Sequence, residues 1–154
     1  MDRYFDENHI LIRDLVREFA RNEIAPVAAG LDQRSEFPWE NVRQMGELGL
    51  LGAPWPEELG GAGMDTLSYI LVIEELAKVD ASHAITVSAH TTLGTSPIVT
   101  FGTEEQKRRF VPLLAAGKVL GGASSRRSVS LTAMPASVVF DTTKRRDGVS
   151  ASAR

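Results

Sequence analysis

The chain is 154 residues long, 43% hydrophobic and 24% charged, with a mean hydropathy of −0.09, values that suit a single globular core. It contains no cysteine, which excludes a disulfide scaffold, a thiolate zinc site and a cysteine nucleophile. The net charge of −3 speaks against a nucleic-acid partner, whose binders carry a basic face.

No apolar run approaches the ~20 residues of a membrane-spanning helix. The start, Met1-Asp2-Arg3-Tyr4-Phe5-Asp6-Glu7, is too polar and acidic for a signal peptide, so the expected location is cytoplasmic. Charge divides the chain unevenly. Residues 1–122 hold 11 of the 17 Lys and Arg and 18 of the 20 Asp and Glu, a net −7, whereas residues 123–154 carry +4. That second stretch has ten Ser or Thr and two arginine pairs, Arg126-Arg127 and Arg145-Arg146. A folded body over 1–122 is therefore expected, followed by a Ser/Arg-rich, irregular and largely disordered tail over 123–154.

In chain order, the body reads as helices. Phe5, Ile12, Leu15, Val16 and Phe19 recur at three- and four-residue intervals, so a one-sided helix runs from about Asp6, its cap, toward Ala28. Pro26 bends or ends it. A second helix fits Pro38 to Leu48, with Gly49 as its left-handed stop. The Gly- and Pro-rich stretch from Gly49 to Gly63 is a long, defined loop. Asp65 then caps a helix through about Val79, whose Leu67, Ile70, Leu71, Ile73, Leu76 and Ala77 make a broad apolar stripe. Ser82 caps a helix from Ala84 to about Thr95, built of small residues and punctuated by Pro97. Thr103-Glu104-Glu105-Gln106 is a capping box opening a helix that ends at Gly117. No segment before Gly122 alternates as a strand does, so the expected fold is all-α, a helical bundle of about five helices. In the tail, Val138-Val139-Phe140 has the makings of a short strand.

The chemistry-bearing groups are sparse. Gly60-Gly61-Ala62-Gly63 lacks the preceding strand and the spacing of a phosphate loop, which favours a tight inter-helix loop. His83 and His90 stand about 10.5 Å apart along one helix, too far to share a metal, and His9 has no evident partner. No metal site is expected. Glu74 and Glu75 project about 100° apart, so solvation or ion pairing is their default. Lys107-Arg108-Arg109 lies one turn beyond Glu104 and Glu105 and reads as a salt-bridged helix surface. No catalytic and no cofactor-binding residue can be assigned from these patterns.

Three stretches taken in sequence resemble the N-terminal helical domain of the acyl-CoA dehydrogenases. They are Met45 to Gly52 running into Pro56-Glu57-Glu58-Leu59-Gly60-Gly61-Ala62-Gly63; Ile73-Glu74-Glu75-Leu76-Ala77 followed by Val87 to Gly94; and Phe101-Gly102-Thr103-Glu104-Glu105-Gln106 through Gly117. The resemblance implies α,β-dehydrogenation of an acyl-CoA thioester with bound FAD, reoxidation by an electron-transfer flavoprotein, and a homo-oligomer in the full-length family. It also implies that Ile85, Thr86, Ala89 and Leu93 wall the acyl-chain cavity; their spacing serves a bundle core equally well. Where relatives continue into a Thr-Glu-Pro and Gly-Ser-Asp segment that holds the flavin, this chain reads Ser124-Ser125-Arg126-Arg127-Ser128. The expectation is a truncated member, inactive alone, with a tail translated out of frame. The competing expectation is a non-catalytic helical module that pairs with another subunit.

Overall fold

The computed structural model describes residues 4–124 and the segments Ser137–Asp141 and Ala151–Ala153. Asp6 opens α1 (Glu7–Phe19), its side chain accepting the His9 amide at 2.9 Å while His9 Nδ1 accepts the Asp6 amide at 3.2 Å. The other ring nitrogen reaches Asp65 Oδ2 at 3.0 Å. Asp65 in turn caps α4 (Thr66–Ala77) by accepting the Ser68 amide at 2.7 Å. The partner that His9 lacks in the sequence is thus a carboxylate 56 residues away, and it ties two helix starts together.

Pro26 does not end the first helix. A wide turn, Ala20–Ile24, carries α1 into α2 (Ala25–Arg34), with the Ala25 amide donating to the Ala20 carbonyl five residues back. Proline has no amide to offer and crowds the carbonyl four residues before it, and the wider turn relieves that crowding. The Asn41 side chain, on α3 (Trp39–Glu47), donates to the Glu23 carbonyl in this turn at 3.0 Å. The same device recurs downstream. Between α5 (Ala81–Ala89) and α6 (Ser96–Phe101) lies the wide turn His90–Thr95, where the Ser96 amide donates to the Thr91 carbonyl just before Pro97. Two helices therefore read through their prolines, and seven α segments make five continuous rods. The expected all-α body of about five helices is what the described residues 4–119 form.

Gly49 stops α3 at φ 74°, as expected, and short 3₁₀ turns at Leu50–Gly52 and Glu57–Leu59 stiffen the loop that follows. α5 is capped by Asp80, whose side chain accepts the His83 amide at 3.0 Å, and not by Ser82 as the sequence suggested. Ser82 instead donates its hydroxyl to Asp80. α7 (Glu104–Ala115) opens with the expected capping box, Thr103 and Gln106 exchanging bonds of 2.9 and 3.2 Å, and Gly117 ends it at φ 67°.

The main core joins Val16, Ala20 and Ile24 to Val42 and Met45, Leu50 and Leu51, Val72 and Leu76, and Ala84 and Val87. A second cluster sets Ile98 against Phe110, Val111 and Leu114. On α4 the buried face is Leu71, Val72, Glu75 and Leu76, and Ile70 and Ala77 face outward. Beyond the helices, β1 (Leu120–Ser124) pairs in parallel with β2 (Ser137–Asp141), which pairs antiparallel with β3 (Ala151–Ala153). The strand expected at Val138-Val139-Phe140 is the centre of this sheet, so the stretch after 122 is not irregular throughout. β1 also begins two residues inside the boundary that composition draws at Gly122. Both arginine pairs of the tail lie outside the described residues.

Candidate functional site

α5 and the turn after it have two faces of opposite character. Inward, His83, Ala84, Val87, His90 and Thr91 are buried. Outward lie the four residues that the sequence singles out: Ile85 is 66% exposed and Leu93 53%, and Thr86 and Ala89 between them are half-buried. Ile85 and Leu93 are thus not buried within this chain, and Thr86 and Ala89 lie at the edge of the same face. The sequence could not decide this, because three- and four-residue spacing marks a shared face without saying which way it looks. Thr86 donates its hydroxyl to the Ser82 carbonyl at 2.8 Å, and Thr92 does the same to Ser88 at 2.7 Å. With those hydroxyls held by the backbone, the strip offers little that is polar. Residues 81–103 contain no Asp, Glu, Lys or Arg, so no charge interrupts it. Chemically, such a surface can wall an apolar chain and exclude water, but it cannot move a proton.

The other candidates are absorbed by structure. The amides of Gly60, Gly61, Ala62 and Gly63 donate to the carbonyls of Glu57, Pro56, Gly52 and Trp55 at 2.9–3.0 Å. A Cβ on Gly61 would stand 2.1 Å from the Trp55 oxygen, so this glycine serves a close chain crossing. No amide is left to cradle a phosphate, and the glycine loop does not fit a dinucleotide. Glu75 is the buried carboxylate among the described residues, 2% exposed, and Arg17 grips both its oxygens at 2.9 and 3.0 Å while Lys78 adds a third bond at 2.7 Å. Burial pushes its carboxyl up, but these two cations more than offset that and hold it below the ordinary carboxylate range. A carboxylate held this way is no free base. Lys107 pairs with Glu104 at 2.9 Å, and Arg109 lies 5.1 Å over the Phe110 ring, a salt-bridged helix surface as expected. Among the described residues no three His, Asp or Glu side chains converge as a metal site would need.

His83 sits between Asp80 and Asn41. His90 accepts the Gly121 amide on Nδ1 at 3.0 Å, a link to β1 that no spacing in the sequence signals. Among the described residues no helix is long and apolar enough to cross a membrane.

Against known proteins, residues 6–118 match the model of the acyl-CoA dehydrogenase N-terminal domain. An acyl-CoA dehydrogenase of Bacillus subtilis is 46% identical over 115 residues, covering 75% of this chain and 30% of the relative. A short-chain-specific acyl-CoA dehydrogenase of Clostridium acetobutylicum is 47% identical over 121 residues, covering 79% and 32%. The chain thus spans about a third of the length of these curated relatives. The structure of an acyl-CoA dehydrogenase from Bacillus anthracis complexed with FAD superposes with a TM-score of 0.79 at 30% identity, covering 97% of this chain and 32% of that one.

Proposed function

From the premise that the chain belongs to the acyl-CoA dehydrogenase family through its N-terminal domain, we propose that residues 1–122 are the helical unit of an enzyme that desaturates acyl-CoA thioesters with FAD. The observation that carries this reading is the uncharged, outward-facing strip of Ile85, Thr86, Ala89 and Leu93, which suits the wall of an acyl-chain cavity. The body's part is to bound that cavity and keep it dry, where burial strengthens whatever acid–base and electrostatic groups surround the reacting carbons. Proton removal and flavin binding belong to other parts of the enzyme: Glu75 is locked to Arg17 and Lys78, and the glycine loop has no free amides. An electron-transfer flavoprotein is the proposed acceptor, and a homo-oligomer the proposed assembly.

Two measurements test this. A chimera in which residues 1–122 replace the matching segment of the Bacillus subtilis acyl-CoA dehydrogenase is expected to show flavin absorption and acyl-CoA-dependent dye reduction, and residues 1–154 alone neither. A well-folded chimera that is colourless and inactive defeats the reading, as does turnover by residues 1–154 alone. In the active enzyme, Ala89→Trp is expected to raise KM for long acyl chains about tenfold or more while sparing short ones. An unchanged chain-length profile removes the cavity wall. The same exposed strip would suit a non-catalytic module, and stable co-purification of residues 1–154 with another subunit, without thioester turnover by the pair, favours that alternative. The tail as an out-of-frame continuation is tested by the DNA after the Gly122 codon: a Thr-Glu-Pro-like segment in another frame supports it, and none in either frame rejects it.

A further inference from the structure

The wide turn His90–Thr95 and the root of β1 meet unusually closely. A Cβ built on Gly94 would stand 2.4 Å from the Gly121 carbonyl carbon, and one on Gly121 would stand 2.9 Å from Gly94 Cα. Backbone rests on backbone there, possible only because both residues are glycine. At this crossing the Gly121 amide donates to His90 Nδ1 at 3.0 Å, and the imidazole is 1% exposed. A ring nitrogen that accepts carries no proton, so the proton of the neutral ring sits on Nε2. Nε2 makes no hydrogen bond, and the Leu114 backbone lies near the ring.

We propose that His90 is an acid-labile pin: as a neutral acceptor it holds the start of β1 on the helical body, and its protonation releases the strand. A proton on Nδ1 would turn the acceptor into a donor facing the Gly121 N–H, replacing attraction by repulsion. Among the described residues no charged group is seen to compensate the new charge. α6, β1 and the turn Leu50–Gly52 contain no ionisable side chain. α5 contributes His83, two helical turns away, and α7 keeps its ions between Glu104 and Arg109, reaching the ring with Leu114. The ionisable residue of β2, Asp141, pairs in register with Ser124, three residues along β1 from Gly121. Burial accordingly pushes the imidazole down to about 4, and the Leu114 carbonyl offsets little of that. This assignment stands on the joint itself and does not require the enzymatic reading.

The test is nuclear magnetic resonance on the intact chain. At pH 7 the His90 ring is expected to show a bare Nδ1 and a protonated Nε2, and Gly121 is expected to be protected from amide exchange. That protection is expected to fall about tenfold per pH unit between 6.5 and about 4, the range in which opening admits one proton to the ring. His90→Asn, which keeps an acceptor near the Nδ1 position, is expected to retain protection at pH 7 and lose its pH dependence. His90→Phe is expected to lose the protection. A protonated Nδ1, a ring titrating at its ordinary value, or pH-dependent protection surviving in His90→Asn overturns the proposal. The wild-type spectrum decides even if a variant fails to fold.

Discussion

The Glu75 carboxylate shows how one side chain settles the character of a whole face. Arg17 and Lys78, 35% and 50% exposed, reach in from the surface to an acid that is 2% exposed, so the charge is buried from one side only. Removing Arg17 leaves that acid with Lys78 alone. Arg17→Ala is expected to destabilise the fold at pH 7, by less than the loss of a fully buried pair because the cations remain partly solvated. The sign with pH follows from the depressed carboxyl. The folded state binds its proton less readily than the unfolded chain, so the stabilisation is complete above the ordinary value of 4.5 and disappears as pH falls through the folded one. Denaturant titrations of wild type and Arg17→Ala are expected to converge below pH 4.5. The sequence leaves solvation and ion pairing both open for Glu75 and names no partner, because Arg17 is 58 residues away and only packing of α1 on α4 brings it near.

At the scale of elements, the helix ends and the prolines divide what is legible from what is not. The caps at Asp6, Asp65 and Thr103 and the glycine stops at Gly49 and Gly117 follow local rules and are readable in the sequence. The α5 cap is Asp80, two residues before Ser82; both residue types cap well, and only the folded backbone selects between them. Pro26 and Pro97 sit in continuous helices because a wide turn precedes each, and no local signal announces that. Asp65 does double duty, capping α4 and receiving His9 from α1. Asp65→Ala is therefore expected to cost about 1–2 kcal/mol, at the upper end for a cap, and Asp65→Asn, which still accepts the Ser68 amide, appreciably less. Thermal unfolding of the two variants side by side checks this.

For the molecule as a whole, the outward strip is an apolar surface that burial within the chain does not explain. Ile85 and Leu93 contribute little to internal packing, so Ile85→Lys with Leu93→Ser is expected to change stability by no more than about 0.5 kcal/mol. The same pair of changes is expected to slow concentration-dependent association of residues 1–154, read by light scattering, because it interrupts an uncharged apolar surface. A large loss of stability would return these residues to the core.

Composition, periodicity and capping chemistry determine an all-α body and most of its helix ends, because helix formation depends on neighbours within a few residues. They also carry the family, whose motifs are short and local. Which face of α5 looks outward, which carboxylate receives His9 and which imidazole holds Gly121 are decided by tertiary structure alone. Each of these joins residues 31 or 56 positions apart or depends on what packs against a helix, and neither is encoded in the spacing along one segment.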